Sequence, residues 1–226
     1  GELSSMHFAQ GDTSALQEKD LKRMLHFTND ALLDIYSRVP LQVESLTLET
    51  FEDQSDYLLT EAFAESNKQS KEIRKYIKDT ESKPFIGNIL KILAVKNANG
   101  CNLPLNDLSR CDSVFTPLYN VLQVTHPSDE VALEVIFTGR HKKLEYFGDR
   151  LKLFGQNINL PVQLNEALNL KISSRYYSGM SGQEVSNKTR DMIERYEMLC
   201  EKVKMENKVN LTRLSTPTSL ESRGFV

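Results

Sequence analysis

Residues 141–154 read HKKLEYFGDRLKLF, and two incompatible structures fit them. Taken as strands, KLEYF and RLKLF alternate on either side of Gly148-Asp149, an acceptable two-residue hairpin turn. Taken as a helix, they put Glu145 and Asp149 one turn apart on a single face, an arrangement that suits a metal ion. The period-two pattern continues upstream in VALEVIF and downstream in NINLPVQL, with TGRH and GQ as breaks. A small antiparallel β-meander over 131–164, with a surface hairpin at 141–154, is therefore expected.

Towards the N-terminus the apolar spacing changes to three and four. Leu21, Met24, Leu25, Thr28, Leu32 and Ile35 line one helical face, with Thr13 or Ser14 as cap and Val39-Pro40 as stop. A second helix is expected over 47–66, burying Phe51, Leu58, Leu59, Ala62 and Phe63 beneath an acidic face. NKQSKEIRKYIKD (67–79) reads as a third helix, and the apolar FIGNILKILAVK (85–96) as a short buried fourth. NANGCN (97–102) marks a loop, and 106–124 is again expected to be helical, kinked at Pro117. Beyond the meander, Ser181 and Glu184 have capping-box spacing. Val185, Thr189, Met192, Tyr196, Leu199 and Val203 then repeat at four and three, a heptad seam.

The expected organisation is a flexible N-terminus at 1–13, a helical region at 14–98 and an α+β region at 103–180. An amphipathic, coiled-coil-like helix at 181–207 and a disordered tail at 208–226 complete it. The expected fold class is α+β and predominantly helical: a helical N-terminal half, a small β-meander and a C-terminal amphipathic helix. An all-α protein is the alternative.

The 226 residues are 39% hydrophobic and 26% charged, which excludes wholesale disorder. No run of eighteen apolar residues is present, so no membrane span is expected. The N-terminus lacks the basic and apolar regions of a signal peptide. Three cysteines without a C-x-x-C pair fit neither a disulfide framework nor a zinc site, and they point to reduced thiols in the cytoplasm or nucleus. The net charge of −3 hides an asymmetry. Residues 1–65 carry 13 acidic and 4 basic side chains, whereas 66–100 carry 3 and 8. The chain is no polycation, which disfavours a bulk nucleic-acid binder but leaves room for a local basic patch.

Three features bear on function. The heptad helix suits pairing with a protein partner through Met192, Tyr196, Leu199 and Val203, in a hetero- or homo-oligomer; packing on its own body uses the same stripe. Lys68, Lys71, Lys75 and Lys78 form a stripe suited to phosphates or nucleic acid, an acidic protein face or a membrane surface, or to pairing with the acidic face of the preceding helix. Thr216-Pro217 is a minimal proline-directed phosphorylation site. No P-loop, nucleophile elbow, zinc motif or other metal cluster is present.

Read as a helix, the opening stretch resembles a known family. Leu144-Glu145-Tyr146-Phe147-Gly148-Asp149 looks like the ribonuclease III signature L-E-[FY]-x-G-D, and FTPLYNVLQVTHPS (115–128) is similar to the segment that precedes it. Asp191-Met192-Ile193-Glu194 has the D-x-x-E spacing of that family's later acidic pair. The resemblance, confined to 115–149 apart from that pair, implies Glu145, Asp149, Asp191 and Glu194 as Mg²⁺ ligands in a double-stranded RNA endonuclease, or in its inactive relative. His141-Lys142-Lys143 stands where the family has N-E-R. The function expected from the chain as a whole is instead a non-catalytic scaffold or adaptor subunit of an intracellular assembly. A phosphate or nucleic-acid binding module built on the lysine stripe is the third reading.

Overall fold

Residues 141–147 adopt neither a helix nor a hairpin. The computed structural model describes residues 18–148, 156–180 and 182–214, with side chains at 20–148, 156–180 and 182–206. In it, 141–147 is irregular chain in which side-chain amides satisfy the backbone groups of Leu144 and Glu145. Asn29 Nδ2 donates to the Leu144 carbonyl and the Leu144 N–H donates to Asn29 Oδ1, both at 2.9 Å. Gln156 treats Glu145 the same way, at 3.0 and 2.6 Å. A carboxamide carries the same donor and acceptor as a peptide group, so it replaces a neighbouring strand. The Leu144 side chain is buried among helices. RLKLF, the other arm of the expected hairpin, lies outside the described residues.

The expectation of a predominantly helical or all-α chain is overturned: the described residues form three helices and eight strands in two antiparallel sheets. The larger sheet has the order β3-β1-β8-β4-β5: Ile77–Lys78, Val43–Glu49, Ala132–Gly139, Ile89–Lys96 and Asn102–Leu103. The smaller has the order β2-β7-β6: Asp56–Leu58, Val121–Val124 and Val114–Leu118. Both sheets feed one apolar core. Leu46, Leu48, Ile92, Val95, Val135 and Phe137 of the larger sheet share it with Tyr57, Val114 and Leu122 of the smaller. Alternation explains most of these strands: Leu46 and Leu48 on β1, and Leu133, Val135 and Phe137 on β8, are buried on one face.

Four expected helices are thereby corrected. Residues 47–66 hold the end of β1, all of β2 and a 3₁₀ turn at Glu61–Phe63. Residues 67–76 are irregular and lead into β3, and 106–124 contains the β6–β7 hairpin. Pro117 sits in the edge strand β6, at the ladder irregularity between Phe115 and Leu118, the kind of position where a missing N–H is tolerated. FIGNILKILAVK contains β4, whose buried residues Ile89, Ile92 and Val95 are three apart because the ladder to β8 is irregular at 89/91 and 92/94. Each irregularity admits an extra residue and turns period two into an apparent helical period. Among the described residues of the expected meander only β8 is strand; NINLPVQL is irregular chain ending in a 3₁₀ turn at Val162–Leu164.

A second core is helical. α1 (Glu18–Arg38) buries Leu21, Leu32 and Ile35, as the spacing predicts, together with Ala31 and Tyr36, and ends before Pro40. α2 (Asn165–Tyr177) runs antiparallel to α1, since Lys171 reaches Asp34 and Tyr176 lies beside Arg23. α3 (Gln183–Leu214) folds back along α2, with Lys188 over Tyr177 and Arg195 on Glu166. Ser181, the expected cap, lies outside the described residues, as do Thr13 and Ser14. One polar knot joins the three helices: the Asp34 carboxylate accepts from Lys171 at 2.7 Å, Tyr196 Oη at 2.8 Å and Arg38 at 3.2 Å. Burial alone would raise the Asp34 carboxyl, but these hydrogen bonds outweigh it and hold the group below the ordinary carboxylate range. Leu90 on β4 packs against the helical core, so the two cores meet along the larger sheet. No described helix is long and apolar enough to cross a membrane.

Candidate functional site

Where the sandwich meets the helices, the chain from β8 to Leu144 crosses a cleft carrying Arg140, His141, Lys142 and Lys143. Both ends of this run are fixed. The Arg140 N–H donates to the Asn88 carbonyl at 2.8 Å, and Leu144 is clasped by Asn29. Between them His141 lies edge-on to the buried ring of Tyr36, with centroids 5.5 Å apart. The opposite wall is the loop before β4. Asp79 holds it by accepting from the Phe85 N–H and from Ser66 N–H and Oγ. Burial opposes ionisation of Asp79, yet those donors keep its carboxyl below the usual range. Gly87 then turns at φ +65° and delivers Asn88 to the cleft floor.

The cleft has two lobes of about 290 and 300 Å³ that share Ile86, Asn88, Arg140, His141 and Lys142. One lobe adds Asn29, Leu33 and Lys143, and the other Lys83, Gln42 and Asn159. Among the described residues, Lys83, Arg140, Lys142 and Lys143 form no ion pair. Each lobe also carries one carboxylate that pairs with none of these cations: Asp30 lies 3.5 Å from His26 Nε2, and Glu44 accepts from the neutral amides of Gln42 and Asn88. Each lobe therefore sets three cations against one carboxylate, a net of two positive charges.

Asn88 is the least ordinary group in it. The residue is 3% exposed, and its Nδ2 donates to Glu44 Oε2 at 3.2 Å, which fixes the amide's orientation. Its Oδ1 is buried and receives no hydrogen bond from any described residue. A buried acceptor in that condition costs about 1–3 kcal/mol. Gly139 is packed so closely that a Cβ there would lie 2.8 Å from Asn88 Nδ2.

The sites expected from sequence fall elsewhere. Tyr196 and Val203 are buried in this chain's own helical core, Leu199 packs against it and Met192 is half-buried. Three of the four expected stripe lysines are engaged within the fold. Lys68 pairs with Glu81, Lys78 with Glu49 and Glu65, and Lys75 Nζ donates to the carbonyls of Ala62 and Asn67. Lys71 is exposed. Glu145 is exposed, Asp149 lies outside the described residues, and Asp191 and Glu194 project from the outer side of α3, where Glu194 meets Arg190 at 3.4 Å. No three carboxylate, histidine or cysteine side chains among the described residues group as metal ligands. Thr216 also lies outside the described residues. The cleft was overlooked in the sequence, although the run Arg140-His141-Lys142-Lys143 is visible there. No protein family matches the chain, and no curated protein is significantly similar to it.

Proposed function

We propose that the protein is a non-catalytic docking subunit that receives an anionic segment of a partner protein in the cleft between its sandwich and its helices. The observation that carries this reading is the set of four cations, Lys83, Arg140, Lys142 and Lys143, that line one cleft, outnumber its two carboxylates and pair with no described residue. Cations held this way steer an oppositely charged partner and set its register. Anchoring by Asn29 and Asn88 means that little backbone entropy is lost when the run engages a ligand. Leu33 and Ile86, each about half exposed, add apolar contact beside the charges. Amides, cations and isolated aliphatic groups suit an extended polypeptide. A single-stranded nucleic acid would need exposed aromatic faces for stacking, and Phe85 is packed on the sandwich core instead. Three free cysteines, two of them exposed, fit a reducing compartment such as cytoplasm or nucleus.

The test is fluorescence anisotropy with an acidic peptide carrying interspersed leucines, against wild type and an Arg140→Glu/Lys142→Glu variant. Charge-assisted hydrogen bonds contribute about 1.5–3 kcal/mol each, so reversing two cations should weaken binding on the order of 100-fold or more. Binding that ignores the reversal, or that goes instead to RNA, contradicts the proposal.

A further inference from the structure

On the reading that the cleft docks a partner protein, we infer that the anion it takes is a phosphorylated serine or threonine side chain, so that docking is switched by modification of the partner. Each lobe carries three cations against one carboxylate, a net of two positive charges and more than one ligand carboxylate can answer. A phosphomonoester brings roughly −1.5 to −2 charge and three acceptor oxygens in a single group. Arg140 supplies a planar fork suited to two of those oxygens, while Lys142 and Lys143 supply mobile point charges beside it. Asn88 has the opposite requirement. Its buried Oδ1 calls for a donor, which phosphate lacks and a peptide N–H provides. The cleft thus asks for an anion and a hydrogen-bond donor at adjoining positions, as a phosphorylated residue and its own main chain present them. Leu33 and Ile86 then receive an apolar neighbour in the ligand sequence. A free phosphate offers the anion alone, and a lipid headgroup offers no flanking peptide to an inset, amide-floored cleft.

The experiment uses the full chain and labelled peptides of one sequence, Leu-Ile-X-Leu-Gly, with X as phosphothreonine, glutamate or threonine. Inorganic phosphate and phosphoinositide-containing vesicles serve as competitors. The phosphopeptide should bind at least 10-fold more tightly than either other peptide, and Lys142→Glu/Lys143→Glu should remove that preference. Asn88→Leu, which deletes the acceptor at similar volume, should weaken all three peptides by a similar few-fold factor. Equal affinity for the glutamate and phosphothreonine peptides overturns phosphate recognition and leaves the docking reading standing. Absence of binding by every peptide overturns both. Inorganic phosphate competing as well as the phosphopeptide, or vesicles binding more tightly than it, overturns the assignment to a peptide. Both lysines are exposed, so unchanged thermal unfolding of the double variant keeps the result separable from misfolding.

Discussion

Lys68, Arg74, Lys75 and Lys78 each end on an acceptor of this same chain, whereas Lys83, Arg140, Lys142 and Lys143 end on none among the described residues. The first set closes loops. Arg74 grips Asp53 with both Nη atoms, at 2.7 and 3.1 Å, and stacks over Phe51, and Lys75 ties two carbonyls on either side of a turn. The second set surrounds a cleft in which it outnumbers the two carboxylates and pairs with neither. Basic residues of equal conspicuousness in the sequence therefore do different things: the first stabilises the fold locally, and the second holds charge ready for something outside it. What separates them is the presence of an acceptor within reach, which depends on tertiary structure.

Substitutions probe this division. Gly139→Ala should cost about 1–3 kcal/mol, because its Cβ would drive into Asn88, and it should weaken ligand binding as the cleft floor shifts. Thermal unfolding and anisotropy measure the two effects. Lys75→Ala should cost about 1–2 kcal/mol by leaving two carbonyls without their charged donor, with ligand affinity unchanged. Lys78→Met should cost under about 1 kcal/mol, as its two carboxylate partners are partly solvated. Hydrogen bonding to Glu49 and then Glu65 raises the Lys78 pKa, so its contribution is fully present below the unfolded value of about 10.4 and fades as pH rises through the folded one. A denaturant midpoint followed through that alkaline range should fall more steeply for wild type than for Lys78→Met. Least of all in stability, Lys71→Glu and Lys142→Glu should both leave unfolding within about 0.5 kcal/mol of wild type. Only Lys142→Glu should change ligand affinity.

How much of this was legible depends on whether the chain's own period survives into the fold. α1 was readable because Leu21, Leu25, Thr28, Leu32 and Ile35, all buried or half-buried, repeat at four and three ahead of Pro40. β4 was not, because its ladder irregularities place Ile89, Ile92 and Val95 at helical intervals. The 3-4-3 spacing of the stripe lysines is a coincidence, since 67–76 is not helical. α3 was recognised as an amphipathic helix, but sequence alone does not say whose surface its stripe meets. Here Tyr196, Cys200 and Val203 meet α1 and α2. Residues 141–147 were undecidable locally: Asn29, 115 positions away from Leu144, supplies the partner that a strand or helix would have provided. Asn88 gave no sequence signal at all, because its condition arises from the packing of Glu44 and Gly139 around it.

The most direct measurement is a two-dimensional amide NMR titration of the full chain with the phosphothreonine peptide. Shifts concentrated at the backbone amides of 140–143 and at the Asn88 side-chain amide, with 68–78 unmoved, are the predicted result. Shifts concentrated at 68–78, with 140–143 silent, would contradict the division between engaged and waiting cations and the docking function built on it.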